Sequence, residues 1–128
     1  RTLMAMARVD GRVSIFLEPI ALYMTKDLYA PGDGGWLTSY PAPDQAIPLG
    51  EGRVYGEGTD LGFITYGNGV PMALRAARAI EADTGAKCRV LDLRWLQPLN
   101  AAQIVAVAGA CDRIVVVERI FFLVDFRL

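Results

Sequence analysis

The chain has 128 residues, which is room for about one compact domain, and 53% of them are hydrophobic. This apolar content is high for a small free-standing domain and predicts surfaces that other polypeptide covers. The formal net charge of -1, with lysine and arginine spread along the chain, argues against a nucleic-acid partner.

No apolar run reaches transmembrane length, because Glu118 and Arg119 interrupt the longest one, so we expect no membrane partner. The two cysteines, Cys88 and Cys111, show neither the spacing of a metal site nor the density of a disulfide scaffold. We therefore expect thiols in or near the core and a reducing, cytoplasmic setting.

The first part of the chain reads as the end of an αβ unit. Residues TLMAMARVD are typical of the end of a helix, and Gly11 separates them from RVSIFLEP, which predicts a strand closed by Pro19. Glu18 lies at the carboxyl end of that strand, where open α/β sheets bind ligands. A solvated or locally paired carboxylate is the preferred interpretation, because no second acid or histidine lies nearby in sequence.

A short helical or extended piece follows over residues 21–30. Residues 31–50 are punctuated by glycine and proline, which is typical of a linker. Trp36 and Tyr40 predict that this linker is ordered against a neighbouring surface. The next residues, GRVYGEGTD, predict a short strand or hairpin arm that adds to the edge of the following sheet.

Residues 60–118 predict a βαβαβ unit with strands DLGFITYG, CRVLDLR and RIVVVE. The first helix has Pro71 in its first turn and Gly85 at its end. The second helix begins at Asn100, with Gln103 placed for a capping box. The apolar run RIVVVE is typical of a parallel strand covered on both faces. The predicted fold class is α/β, with an open, mostly parallel sheet and helices on both faces.

The chain has no histidine, which removes the commonest participant in acid-base catalysis and metal ligation. We therefore assign no catalytic and no metal-ligating residue. The turn Gly67-Asn68-Gly69 precedes a helix and offers backbone N–H groups to a phosphate, although it matches neither common phosphate-binding motif. A tight turn that needs small residues is the preferred interpretation.

Arg94 and Glu118 follow the second and third strands of this unit and are predicted at the same sheet edge as that turn. They are candidates for binding an anion or for pairing with each other. A salt bridge between domains or subunits is the preferred interpretation. Asp92 is expected to be paired if it is buried. The weak anion-site candidates are therefore Gly67, Asn68, Gly69 and Arg94.

The segments FLEP, TYGNGVPMALRAA, VLDLRWLQPL and CDRIVVVE, in this order and spacing, resemble the transketolase-like family. More closely, they resemble the beta subunit, or beta-like half, of the thiamine-diphosphate-dependent decarboxylating component of 2-oxoacid dehydrogenase complexes. The resemblance covers nearly all of residues 1–118, and LDLRWLQPL is its most specific part.

The resemblance implies three regions. Residues 1–30 are the last part of a thiamine pyrimidine-binding domain, residues 31–50 are an interdomain linker, and residues 51–128 are an incomplete transketolase C-terminal-like domain. The family's catalytic acid and histidine lie upstream of FLEP, so no catalytic or cofactor-binding residue is carried onto this chain. The ending RIFFLVDFRL departs from the family pattern and is interpreted as truncation or a shifted reading frame.

The resemblance also implies a function for a larger parent enzyme. That parent oxidatively decarboxylates a 2-oxoacid and transfers the acyl group to a lipoyl carrier, with thiamine diphosphate and Mg²⁺ as cofactors. Its partners are an alpha subunit or the rest of the same enzyme, in a homo- or hetero-oligomer, and a lipoyl acyltransferase. The present segment is expected to serve assembly and structural support, and to bind no cofactor and be inactive alone.

Alternatives remain open at this point. A near alternative within the same family is a fragment of a transketolase or of a deoxyxylulose-phosphate synthase, although the FLEP segment and the spacing after it favour the dehydrogenase. A non-catalytic α/β module that binds an anion or a partner is a different class of function, and a folded monomer that binds phosphate-bearing ligands would favour it. A coding artefact without function is the third alternative.

Overall fold

The computed structural model describes residues 1–42 and 44–118. Within these ranges, three α-helices and four strands make up the regular structure, together with a single 3₁₀ turn over Ile20–Leu22. In chain order they are α1 (Thr2–Val9), β1 (Arg53–Tyr55), β2 (Leu61–Thr65), α2 (Gly69–Thr84), β3 (Cys88–Asp92), α3 (Ala101–Gly109) and β4 (Arg113–Val116).

The four strands form one sheet in the order β1-β3-β2-β4. Strand β2 runs parallel to both β3 and β4, so that Phe63 lies opposite Val90 on one side and Val115 on the other. Strand β1 is antiparallel to β3 at the edge, with Val54 opposite Leu91. The predicted mostly parallel α/β sheet is therefore confirmed, as is the short edge strand predicted from GRVYGEGTD.

Alternation along the strands divides the core between the two faces of the sheet. On one face, Phe63 and Val90 join Val70, Ala73 and other residues of α2 in one buried cluster. On the opposite face, Ile64 and Leu91 form a second cluster with Val107 of α3. Helices on both faces were predicted and are confirmed. Cys88 is buried and Cys111 partly buried, as expected for thiols in or near the core.

The helix ends follow the sequence signals with one exception. Pro71 lies in the first turn of α2, and Gly85 ends it in the left-handed conformation, donating its N–H to the Glu81 carbonyl. The Asn100 side chain accepts the Gln103 N–H at 3.0 Å. The capping-box prediction is wrong in its second half, because the Gln103 side chain bonds to the backbone of Gly52 instead.

The strand predicted from RVSIFLEP is absent from the described sheet, and residues 11–19 have no regular structure. Val13 is 96% exposed and Ile15 is 83% exposed. A strand needs a neighbour that completes its backbone hydrogen bonds, and none of the four strands lies beside this segment. This segment has the sequence pattern of a strand but pairs with no strand of the described sheet.

The prediction that RIVVVE is covered on both faces is wrong for the described part of the chain. Strand β4 lies at the sheet edge, where Ile114 packs on the second cluster while Val116 is 72% exposed. An apolar run therefore did not distinguish an inner strand from an edge strand. The interpretation of RIFFLVDFRL concerns residues 119–128, which lie outside the described residues.

None of the helices in the described ranges has the length and apolar character needed to cross a membrane.

Candidate functional site

Strands β2, β3 and β4 are parallel, so their carboxyl ends meet at one edge of the sheet. The Gly67 turn follows β2, Arg94 follows β3 and Glu118 follows β4. The sequence predicted that these groups share an edge, and the topology confirms it.

The turn after β2 uses its own backbone groups. Gly69 donates its N–H to the Tyr66 carbonyl at 3.0 Å, and Val70 donates to the Gly67 carbonyl at 3.2 Å. Pro71, the next residue, has no N–H to offer. A methyl group added at Gly69 would lie 1.9 Å from Thr65 Oγ1, so packing alone demands glycine here. An anion site at Gly67, Asn68 and Gly69 stays a prediction.

Asp92 and Arg94 form the polar centre of the β3 end. Arg94 Nε lies 3.9 Å from Asp92 Oδ2, and the Arg94 N–H donates to Asp92 Oδ1 at 3.1 Å. Burial raises the pKa of Asp92, while the N–H and charge of Arg94 and the charge of Arg53 oppose this. Asp92 is partly buried and is paired, as expected for a carboxylate taken out of water. Arg94 has a φ of 55°, an uncommon backbone conformation for a side chain of this size.

Arg94 and Glu118 each have a separate partner in the described part of the chain. The Tyr66 hydroxyl donates to Glu118 Oε1 at 3.4 Å, and burial followed by the Glu118 charge raises the pKa of Tyr66. Arg94 pairs with Asp92 instead. Arg94 and Glu118 thus do not pair with each other among the described residues, and anion binding by Arg94 stays a prediction. At the other predicted position, Glu18 accepts a hydrogen bond from the Tyr23 hydroxyl, which agrees with the locally paired interpretation.

Three arginine-tyrosine stacks within the described residues were missed in the sequence, of which Arg1 on Tyr40, at 5.2 Å, is the most widely spaced. The Arg53 guanidinium lies 4.5 Å from the centroid of the Tyr55 ring, and that of Arg78 lies 4.4 Å from the Tyr29 ring. Arg53 and Tyr55 are two apart on a strand, a spacing that puts both on one face and is readable in advance. Arg78 and Tyr29 come together only through the fold, and the sequence carries no local signal for them.

The described residues do not fit a cofactor whose diphosphate is held by Mg²⁺. Within residues 1–42 and 44–118, no three histidine, cysteine or carboxylate side chains come together as a metal site. The carboxylates at the sheet edge, Asp92 and Glu118, already pair with Arg94 and Tyr66. We accordingly derive no catalytic step through thiamine diphosphate in this chain.

Comparison with known proteins agrees with this fold. Residues 50–120 match the family described as "Transketolase, C-terminal domain". The pyruvate dehydrogenase E1 component subunit beta of Bacillus subtilis (strain 168) is 35% identical over 109 residues, which are 85% of this chain and 30% of that protein. The 1-deoxy-D-xylulose-5-phosphate synthase of Bacteroides fragilis is 38% identical over 88 residues, 69% of this chain and 14% of that protein.

A solved structure described as a split gene transketolase, inactive beta4 tetramer, superposes with a TM-score of 0.55 at 30% identity. It covers 65% of this chain, and the match spans 27% of the tetramer's chain. The present chain thus spans less than a third of these relatives. On the match over more than half of its length, together with the mixed sheet and its two helical layers, the chain belongs to the transketolase C-terminal domain family.

Proposed function

We propose that this chain is part of the beta subunit of a thiamine-diphosphate-dependent 2-oxoacid dehydrogenase of the cytoplasm. The parent decarboxylates a 2-oxoacid and passes the acyl group to a lipoyl carrier. Relatives named as beta subunits of pyruvate dehydrogenase and of 2-oxoisovalerate dehydrogenase support this assignment. In this proposal the chain contributes assembly and structural support, and the catalytic and cofactor-binding groups belong to other polypeptide.

The supporting role rests on one observation, the exposed apolar surface of residues 13–24, which we call the docking segment. Seven of its eight large apolar side chains are between 58% and 96% exposed: Val13, Ile15, Phe16, Leu17, Ile20, Tyr23 and Met24. Apolar surface of this extent marks a contact with other protein. Burying one such side chain contributes about 1.5–3 kcal/mol, which favours a covered state.

The partner proposed for the docking segment is the remainder of the parent subunit. The curated relatives are more than three times as long as the region they share with this chain, and so contain polypeptide able to cover it. The parent's further partners, an alpha subunit and a lipoyl acyltransferase, follow from the same assignment.

The first test measures self-association of the purified chain by sedimentation velocity. We expect the wild-type chain to associate through the docking segment and Ile15→Asp to shift it towards the monomer. Val105→Asp is the matched control, because Val105 is 69% exposed on α3 and lies outside that segment. A monomeric wild-type chain, or equal effects of both variants, would contradict the role of the docking segment.

The second test is isothermal titration of the chain with thiamine diphosphate and Mg²⁺. No saturable binding is expected, because the proposal places the cofactor site in other polypeptide. Saturable binding by a folded monomer would overturn that placement.

A further inference from the structure

A loop over residues 26–36 is fixed by two of its own carboxylates. Asp33 accepts four backbone N–H groups at 2.7–2.9 Å, and Asp27 accepts two at 2.8–2.9 Å. The donors to Asp33 are Leu28, Tyr29, Ala30 and Gly35, and those to Asp27 are Gly32 and Gly34. The Trp36 N–H closes the loop on the Lys26 carbonyl at 3.0 Å. The loop is therefore built as a defined shape.

The same loop is attached firmly to α2. Leu28 is only 7% exposed and belongs to the buried cluster beneath that helix, and Trp36 packs against the same cluster. Arg75 Nε donates to the Leu28 carbonyl at 2.6 Å. These contacts fix the loop in place beside β1, the edge strand of the sheet, so that the loop forms one wall of the space between them.

Between this wall and the sheet lies a cavity of about 1,040 Å³, which we call the arginine cleft. Three aromatic side chains and three arginines are among its lining residues: Tyr29, Trp36, Tyr55, Arg53, Arg78 and Arg89. The lining contains one carboxylate, Glu81, which already accepts the Cys88 N–H at 2.9 Å. The cleft is therefore net positive and rich in ring faces.

Two of these arginines keep their donors available. Arg53 and Arg78 stack on tyrosine rings, and within residues 1–42 and 44–118 neither guanidinium forms a hydrogen bond or an ion pair, although the charge of Arg53 acts on Asp92 of the neighbouring strand. Arg89 differs, because it donates to the carbonyls of Gly58 and Glu57. A ring face orients a guanidinium without using its N–H groups, so its edge stays free for the oxygen atoms of an anion.

We propose that the arginine cleft binds a small molecule that joins a planar ring to a phosphate group, as in a nucleoside monophosphate. Planar guanidinium groups match phosphate oxygens bidentately, and aromatic faces stack on a planar ring. The cavity volume is close to that of ordinary small-molecule sites, which run to about 1,000 Å³. The ring of Trp36, on which no arginine stacks within the described residues, favours a planar ligand over an acidic peptide. The inference is independent of the proposed 2-oxoacid dehydrogenase function.

The test uses AMP as the probe, in isothermal titration against the folded 128-residue chain. We expect saturable binding at one site, and at least about tenfold weaker binding for Arg53→Gln and for Arg78→Gln, because each substitution removes charged N–H donors to the phosphate. Arg113→Gln is the matched control: Arg113 begins β4 at the far sheet edge, as Arg53 begins β1 at the near one. It should leave the affinity unchanged.

Further arms separate the two halves of the ligand. Adenosine and inorganic phosphate should each bind at least tenfold more weakly than AMP, and Arg78→Lys should fall between wild type and Arg78→Gln. Arg78 is exposed on α2, so its substitution leaves the fold intact, and circular dichroism checks this. Absence of saturable AMP binding, an equal loss in Arg113→Gln, phosphate binding as tight as AMP, or displacement of AMP by a tighter-binding oligoglutamate would each overturn the proposal.

Discussion

The side chain of Gln103 on α3 pairs with both backbone groups of Gly52. Gly52 donates its N–H to Gln103 Oε1 at 2.9 Å, and Gln103 Nε2 donates to the Gly52 carbonyl at 3.2 Å. Gly52 immediately precedes β1, so this pair fastens the edge strand to α3. A methyl group at Gly52 would lie 2.7 Å from the Asp92 carbonyl oxygen, which explains why glycine stands there.

Gln103→Ala should destabilise the fold and loosen β1. Because Gly52 is buried, its N–H and carbonyl would lose their partners, at a cost of about 1–3 kcal/mol each before solvent compensates. Urea unfolding followed by circular dichroism measures the change. Gln45→Ala, at an exposed glutamine away from the sheet, should change stability by less than about 0.5 kcal/mol. Equal midpoints for the two variants would contradict the role of Gln103.

Gly69→Ala should destabilise the protein although alanine favours helices. The added methyl would fall 1.9 Å from Thr65 Oγ1, and Thr65 is held by its own hydrogen bond to the Val117 carbonyl at 2.8 Å. Overpacking of this kind costs roughly 1–3 kcal/mol. Thermal unfolding measures it, and the double variant Gly69→Ala, Thr65→Ala should recover part of the loss. No recovery would show that Thr65 is not the obstacle.

The 26–36 loop should depend on pH through Asp33. Hydrogen bonds from the N–H groups of Gly35, Leu28, Ala30 and Tyr29 hold the pKa of Asp33 well below its ordinary value of 3.8. Because the folded pKa is lowered, the stabilisation is complete above that ordinary value and is lost as pH falls below it.

Trp36 fluorescence in a Trp95→Phe background reports this change, since Trp36 closes the loop. The emission should stay constant from neutral pH to about pH 5 and shift only in stronger acid. Asp33→Asn should show a shifted emission already at neutral pH, whereas Asp44→Asn, at an exposed residue outside the loop, should resemble wild type. An Asp33→Asn protein with wild-type emission at every pH would refute this account.

The two thiols should react at different rates. Burial raises the pKa of the Cys88 thiol, with smaller contributions from the charges of Glu81 and Asp60, and Cys88 is only 5% exposed. Cys111 is partly exposed. Since the thiolate is the reactive form, iodoacetamide should modify Cys111 at least about tenfold faster, as measured by mass spectrometry. The difference should disappear in urea, and equal rates in the native buffer would contradict the buried position of Cys88.

The central unit was readable in the sequence because its signals are local. Pro71, Gly85 and Asn100 mark helix ends through backbone geometry or a short-range hydrogen bond, and each holds in the structure. The two strand segments DLGFITYG and CRVLDLR likewise contain β2 and β3 of the structure. Such features depend on residues a few positions away, so they do not require contacts with distant parts of the chain.

The failures depend on distant partners. Gln103 has the spacing of a capping box, but Gly52, 51 residues away, offers two hydrogen bonds where the cap offers one. RVSIFLEP has the composition of a strand without a neighbour in the described sheet, and RIVVVE reads the same at an edge as at a centre. The stack of Arg78 on Tyr29 depends on the position of the 26–36 loop relative to α2, and no local sequence pattern predicts that position.

The strand order β1-β3-β2-β4 puts the two strands joined by α2 in the middle and the other two outside. Every hydrogen bond of the β2–β3 ladder is thereby shielded on both sides, whereas each outer strand has one neighbour among the residues that the structure describes. Local unfolding should then begin at the outer strands β1 and β4 and reach β2 and β3 last. The backbone amides of β2 and β3 should therefore exchange with deuterium most slowly, as one cooperative unit.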